Sequence, residues 1–164
     1  MHFECIERKC GWPGQWGMVT AAQVRELGIS WFDLHRLVHD DKLERIETAA
    51  GCLTGSPLDP GLDDLRAAWL QIGEGMADAR RLREPDAVVS HRSAAEVLEL
   101  GDLLADVHEF HSPVRRRLRR DDVHIWIRAH LPADAWSVVG GLPVTTAARV
   151  VTDLLADRIR TRSR

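Results

Sequence analysis

The feature that most restricts the fold is a close succession of helix-boundary signals between residues 17 and 53. Thr20 and Gln23 have the spacing of a capping box, in which a hydroxyl and an amide satisfy free backbone N–H groups at a helix start. Gly28 suits the left-handed position that ends a short helix, and Ser30 suits the N-cap of a second helix. Lys42–Glu47 and Gly51–Leu53 then predict two strands of a hairpin.

Helix, tight turn, helix and hairpin, in this order, are typical of a winged helix-turn-helix. The second helix places Trp31, His35 and His39 four residues apart on one face, with Arg36 beside them. The opposite, apolar face is predicted to hold Leu34, Leu37 and Val38. The predicted DNA-binding residues are Ser30, Trp31, His35, Arg36, His39, Lys42 and Arg45. The alternative is a solvated face that serves protein contacts.

The rest of the chain predicts a second domain that mixes helices and strands. Prolines and a glycine between residues 56 and 61 predict the boundary, so the interpretation is an extension over 1–16, a winged helix-turn-helix over 17–57 and an α/β domain over 60–160. In the second domain Ser93 is predicted to cap a helix, and Pro143 to confine its strand to a sheet edge. A last helix is predicted from Thr146, with an apolar side formed by Ala147, Val150, Val151, Leu154 and Leu155. The fold class is therefore α+β.

Charge gives little support to nucleic-acid binding. The 164 residues carry a net charge of −3, and residues 1–58 hold six Lys or Arg against eight Asp or Glu, a net of −2. Basic phosphate contacts supply much of the affinity of DNA-binding modules, so any DNA binding is expected to be weaker than the fold alone suggests. No long uncharged apolar run is present, which predicts a cytoplasmic protein without a membrane partner.

Three segments, in order, resemble the AbiEi-type antitoxins of abortive-infection toxin–antitoxin pairs: GMVTAAQVRELGIS at 17–30, VVSHRSAAEVLEL at 88–100 and GGLPVTTAARVVTDLL at 140–155. The resemblance implies a winged-helix domain that represses the pair's own promoter, with operator DNA as a partner. It also implies an α/β antitoxin domain that neutralises a nucleotidyltransferase-like toxin encoded beside it. The residues that carry the family motifs in the second domain are Ser90, His91, Arg92, Ser93, Pro143, Thr145, Thr146 and Asp153.

The most basic stretch of the chain lies within this second domain, at residues 112–120. Guanidinium groups make bidentate contacts with carboxylates and phosphates, which favours a role in binding the toxin. The predicted partner-binding residues are Arg115, Arg116, Arg117, Arg119 and Arg120. The alternative is a solvated hairpin loop whose charge Asp121 and Asp122 partly cancel.

Motifs for catalysis are mostly absent from the sequence. Adjacent Ser90 and His91 suggest a nucleophile and base, but a triad also needs a third orienting group, so the favoured interpretation is structural, with His91 and Arg92 pairing with acids such as Asp153. No catalytic residue, cofactor or metal is predicted, and His2, Cys5 and Cys10 lack the second ligand pair of a zinc site. Two alternatives stay open: an atypical enzyme, such as a kinase, that modifies the toxin, and a stand-alone transcriptional regulator.

Overall fold

The computed structural model describes residues 15–47, 50–57, 59–73, 81–116, 118 and 120–162. The chain divides into two compact units, residues 1–81 and residues 82–164. Over the described ranges the fold is mixed α+β, with five α-helices and two sheets, as the sequence predicted. None of the helices in these ranges combines the length and the apolar character that a membrane crossing requires.

Unit 1 is a three-stranded antiparallel sheet with three helices. In chain order its elements are β1 (Met18–Thr20), α1 (Ala21–Glu26), α2 (Trp31–His39), β2 (Leu43–Glu47), β3 (Ala50–Leu53) and α3 (Asp63–Ile72). The strand order is β1-β3-β2, so the predicted hairpin forms and β1 pairs with its second strand, Met18 opposite Cys52. The core of this unit is formed by Val19, Val24, Ile29, Leu37, Leu43 and Leu53.

The predicted helix boundaries in unit 1 are confirmed. The Thr20 hydroxyl accepts a hydrogen bond from the Gln23 N–H at 3.3 Å, and the Gln23 side chain accepts one from the Thr20 N–H at 2.9 Å. Gly28 has a φ of 69°, and the Ser30 hydroxyl accepts from the Asp33 N–H at 3.1 Å. The apolar face of α2 was wrong in one position: Val38 is 41% exposed because it lies about 100° around the helix from the buried Leu37.

The division between the units falls after Arg81, not at residues 57–60, because α3 packs against β1 and β2. Trp69 of α3 is fully buried, and its ring meets the ring of Trp16 edge-on, with 6.2 Å between centroids. The Arg81 guanidinium lies 3.9 Å from the Trp69 ring centroid and donates a hydrogen bond to the Trp69 carbonyl at 3.2 Å. These contacts extend unit 1 beyond the proline-rich turn.

Unit 2 is a five-stranded mixed sheet with two helices. Its elements are β4 (Val88–Val89), α4 (His91–Val97), β5 (His108–Ser112), β6 (Val123–Ile127), a 3-10 turn (Ala133–Ala135), β7 (Trp136–Val139), β8 (Leu142–Thr145) and α5 (Ala147–Arg162). The strand order is β6-β5-β4-β8-β7. Strands β5 and β6 are parallel, so a crossover joins them, and the alternative interpretation of a hairpin loop was wrong.

Two local predictions in unit 2 were wrong. Helix α4 begins two residues before Ser93, so the Ser93 hydroxyl does not cap it but donates to the Val107 carbonyl at 3.2 Å and accepts from the Glu109 N–H at 2.9 Å. Strand β8 lies inside the sheet despite Pro143. Its neighbour β4 is two residues long and pairs with β8 only at Val144, a register that requires no N–H from residue 143.

The inward side of α5 also differs from the prediction. Val150 is buried, whereas Val151 and Leu155 are 55% and 56% exposed. The other fully buried side chain among the described residues of this helix is that of Asp153, one turn after Val150 and 2% exposed. A carboxylate at this depth needs compensating partners, because burying an unpaired charge is costly. Those partners define the candidate site.

Candidate functional site

Two histidines and an aspartate from three separate elements meet in the interior of unit 2. His91 is the first residue of α4, His111 lies in β5, and Asp153 lies in α5. Their exposures are 4%, 3% and 2%, and the His111 Nε2 atom lies 2.7 Å from the Asp153 Oδ2 atom. We refer to these three residues as the His–His–Asp cluster.

The Asp153 carboxylate takes part in four hydrogen bonds. Arg149, one turn earlier on α5, donates to both carboxylate oxygens, its Nε reaching Oδ2 at 3.0 Å, and Arg128 donates to Oδ1 at 3.2 Å. Burial raises the pKa of the Asp153 carboxyl, but the hydrogen bonds from His111 and Arg149 outweigh burial and hold that pKa well below its usual range. Asp153 is therefore an anion at neutral pH.

The charge of Asp153 determines which nitrogen of His111 points a hydrogen at it. An ionised carboxylate only accepts hydrogen bonds, so the Nε2 atom of His111 carries the hydrogen that points to Asp153. The Nδ1 atom of His111 is buried and has no hydrogen-bond partner in the part of the chain that the structure describes. In the neutral ring this atom holds a lone pair, so it is free to accept a proton or bind a ligand.

His91 is held by a hydroxyl on one side and an aromatic ring on the other. Its Nδ1 atom lies 3.0 Å from the Ser90 Oγ atom, and its ring stacks on Trp126 with 4.4 Å between centroids and 19° between planes. The ring centroid of His111 is 5.0 Å away. Burial lowers the pKa of His91 to about 4, so the ring is neutral at pH 7.

The backbone of His91 is strained. Its φ is +49°, in the left-handed region that non-glycine residues rarely occupy. Such a conformation costs on the order of 1–3 kcal/mol and persists where surrounding contacts enforce it. Next along the chain, the Arg92 N–H donates to the buried Glu109 carboxylate at 2.8 Å, and the other Glu109 oxygen accepts from Trp126 Nε1 at 3.0 Å. Glu109 thus fixes the start of α4 and the stacking ring together.

A cavity of about 330 Å³ opens beside the cluster. Its lining is His91, His111, Ile125, Trp126, Ile127, Arg128, Asp153, Ala156 and Asp157. A second cavity of about 330 Å³ also includes His111 and Arg128 in its lining. The volume suits a small molecule or a hydrated ion, and polar groups from β5, β6, α4 and α5 converge on it.

The structure brings together three of the residues singled out in the family-like motifs: Ser90, His91 and Asp153. The predicted pairing of Arg92 with Asp153 was wrong, because the Arg92 side chain is exposed and Arg128 and Arg149 take that role. Pro143 and Thr145 are buried in β8, and Thr146 precedes α5, its carbonyl accepting from the Val150 N–H at 2.9 Å. These three support the sheet and the helix start and do not line the cavity.

Sequence reasoning missed four residues of this site. They are His111, Trp126, Arg128 and Arg149. Arg149 was detectable in principle, since Arg149 and Asp153 have the i,i+4 spacing of a helical ion pair. A buried aspartate on a helix stripe otherwise occupied by valine and leucine was the second available signal.

The basic stretch offers less free charge than the sequence suggested. Arg116 pairs with Asp86 at 3.2 Å. Arg120 pairs with Asp122, its own side chain is 5% exposed, and its hydrogen bonds lower the pKa of the Asp122 carboxyl. Arg115 is exposed, while Arg117 and Arg119 lie outside the described residues. At least two of the five predicted partner-binding arginines are thus engaged inside unit 2.

The outer face of α2 carries the predicted DNA-binding side chains in exposed positions. Trp31 and Phe32 are 70% and 76% exposed, and the Trp31 ring meets the His35 ring edge-on at 4.8 Å. Arg36 is 3.4 Å from Asp33, which offsets part of its charge. His39 and Lys42 are also exposed, Ser30 is committed to the cap, and the Arg45 side chain lies outside the described residues.

Comparisons with known proteins add no family. No protein-family model matches the chain. No curated protein is significantly similar to it. The geometry of the two units is therefore the basis for the functional argument.

Cys52, the one cysteine within the described ranges, is a free thiol, and its burial raises its pKa. Cys5 and Cys10 lie outside those ranges.

Proposed function

We propose that this chain is an antitoxin of the AbiEi type, in which unit 1 is a winged helix-turn-helix that binds operator DNA. The observation that carries the proposal is the exposed outer face of α2, in a unit ordered as strand, helix, tight turn, helix and hairpin. A helix that packs on a small core through Leu37 and leaves Trp31 and Phe32 in solvent has its other face available for a macromolecule.

In this proposal α2 enters the major groove with its N-terminal turn against the base edges. Trp31 and Phe32 make apolar contacts there, and Arg36 supplies the charge-assisted contact. Because Asp33 already neutralises part of Arg36 and Asp40 and Asp41 follow the helix, few phosphate contacts are available. Binding is accordingly weak and sensitive to salt, with a shallow slope of log affinity against log salt concentration.

The test is fluorescence anisotropy of the full chain with labelled DNA from upstream of its own gene, over a series of salt concentrations. Arg36→Ala weakens binding and lowers the salt slope by about one. Arg92→Ala is the matched control, because it removes one exposed arginine from unit 2. Absence of wild-type binding at low salt, or equal effects of both variants, contradicts the proposal for unit 1.

For unit 2 we propose that it neutralises a nucleotidyltransferase-like toxin encoded beside the gene. Among the described arginines of the basic stretch, Arg115 is exposed, whereas Arg116 and Arg120 are paired internally. Direct binding through this stretch therefore depends on Arg115 more than on its two paired neighbours. Co-expression with the neighbouring protein, followed by co-elution and a growth-rescue assay, tests this role. Loss of rescue in Arg115→Ala but not in Arg92→Ala supports it, and unchanged rescue in both excludes Arg115 as a required contact.

One observation favours the enzymatic alternative, in which the chain modifies the toxin covalently. Ser90 and His91 are within hydrogen-bond distance, and His111 is oriented by Asp153 beside a cavity. A base that is oriented by a carboxylate is a recurrent element of catalytic sites. The intact mass of the toxin after co-expression decides between the two roles: an added phosphate or nucleotide supports modification, and an unchanged mass in a stable complex supports sequestration.

The remaining alternative is a stand-alone transcriptional regulator. It is favoured if no nucleotidyltransferase gene lies beside the gene for this chain.

A further inference from the structure

We propose that the His–His–Asp cluster is a binding site for one divalent transition-metal ion of the zinc class, with His91 and His111 as ligands and Asp153 as the carboxylate that orients His111. This site is independent of the antitoxin assignment and uses none of the residues proposed to contact DNA. It rests on the hydrogen bonding of the two imidazoles, their separation and the cavity beside them.

Within the described part of the chain, one nitrogen of each histidine is hydrogen-bonded, which leaves the other nitrogen as the candidate ligand atom. His111 donates from Nε2 to Asp153, and its buried Nδ1 has no partner among the described residues. His91 meets the Ser90 hydroxyl through Nδ1, and its ring lines the cavity. Because a hydroxyl both donates and accepts, the Ser90 contact permits the tautomer of His91 that leaves a lone pair on Nε2.

The arrangement around His111 is the one that metal-binding histidines usually have. A metal-bound imidazole almost always donates its second N–H to a carboxylate or carbonyl, which fixes the ring and its tautomer. Asp153 does this for His111. Asp153 is itself fixed by Arg149 and Arg128, so it stays ionised and cannot leave His111 for solvent.

The spacing of the candidate ligand atoms and the cavity beside them also suit a bound metal ion. One candidate ligand atom from each of His91, His111 and Asp153 can be chosen so that all three lie within 4.8 Å of one another. The ring centroids of His91 and His111 are 5.0 Å apart, so one ion can lie between the two imidazoles after small side-chain shifts. The cavity of about 330 Å³ has room for water ligands, and the Asp157 carboxylate in its lining contributes negative charge.

The two imidazole ligands determine which class of metal ion the site prefers. Neutral nitrogen ligands suit zinc, cobalt, nickel and copper, whereas magnesium and calcium require a shell of oxygen ligands. The two guanidinium groups on Asp153 oppose any cation, and this cost is smallest if Asp153 does not itself coordinate the ion. For that reason Asp153 supports His111 from behind, and water occupies the remaining coordination positions of the ion.

The test is titration of the metal-free full chain with Co²⁺, followed by its visible absorption, with Zn²⁺ as competitor. We expect one equivalent to bind, and at least about tenfold weaker binding in His91→Gln and in His111→Gln. Asp153→Asn weakens binding by roughly 10–100-fold, the usual effect of losing the orienting carboxylate. His124→Gln is the matched control, because His124 is exposed and contacts Trp126 without lining the cavity.

Two further measurements test the identity of the ligands directly. Pulsed EPR of the wild-type chain with one equivalent of Cu²⁺ must show nitrogen couplings from two imidazoles, which requires no variant to fold. A Cys5→Ser, Cys10→Ser double variant must keep the Co²⁺ site, and the wild-type spectrum must lack the near-ultraviolet thiolate band. No binding at millimolar Co²⁺, a thiolate band, or equal loss in His124→Gln overturns the proposal.

Discussion

Replacement of Asp153 by asparagine is the most informative single change in unit 2. The carboxylate is 2% exposed and takes part in four hydrogen bonds that join α5 to β5 and to Arg128, just after β6. Asparagine preserves the shape but removes the charge and replaces one acceptor oxygen with an NH₂ donor. That NH₂ group faces N–H groups of His111, Arg128 or Arg149. At least one present hydrogen bond is therefore replaced by two donors that face each other.

The magnitude follows from the exposure of the partners. Removing one member of a buried ion pair costs about 3–5 kcal/mol, since the remaining charge is left uncompensated. The Arg149 and Arg128 side chains are 21% and 35% exposed, so they recover part of their hydration, whereas His111 at 3% does not. We therefore expect a loss of about 3 kcal/mol in the free energy of unfolding of unit 2, at the low end of that range.

Urea denaturation at pH 7 with a chelator present measures this loss. With a slope of about 1.5 kcal/mol per molar urea, 3 kcal/mol corresponds to a midpoint shift of about 2 M. Asp134→Asn, in the exposed 3-10 turn, is the control and is expected to change stability by less than about 0.5 kcal/mol. An Asp153→Asn loss below about 1 kcal/mol would refute the argument that this carboxylate organises the interior of unit 2.

Two further predictions concern local features. Arg120→Ala raises the pKa of the Asp122 carboxyl towards its ordinary value, because the lowered pKa in the folded chain comes first from the Arg120 hydrogen bond; an NMR titration of the Asp122 carboxyl carbon checks this. Gly28→Ala lowers stability by about 1 kcal/mol through backbone strain alone, since φ is +69° and no heavy atom lies within 4 Å of the added methyl. Gly61→Ala, where no positive φ occurs, is the matched control and costs less.

The parts of the fold that the sequence predicted well depend on contacts between near neighbours. The capping box of Thr20 and Gln23, the left-handed Gly28 and the Ser30 cap involve residues at most three positions apart, so the residue types alone specify them. The errors depend on contacts between distant segments. The role of Ser93 is set by β5 and that of Pro143 by the shortness of β4, neither of which is encoded near those residues.

The same contrast between local and long-range contacts explains why the sequence predicted only part of the candidate site. His91 and Asp153 stand in recognisable motifs, but nothing local to His111 distinguishes it from any histidine on a half-buried strand. Its role depends on the fold, in which β5 lies beside β4 and the Asp153 Oδ2 atom of α5 lies 2.7 Å from the His111 Nε2 atom. The most informative feature of α5 is its burial pattern. Asp153 is buried, whereas the apolar Val151 and Leu155 are exposed to solvent. A helix that served packing alone would bury an apolar side chain at this position, so the buried carboxylate and its arginines act through their charge. By accepting from His111 Nε2, Asp153 fixes the direction of the Nδ1 atom, which has no hydrogen-bond partner among the described residues.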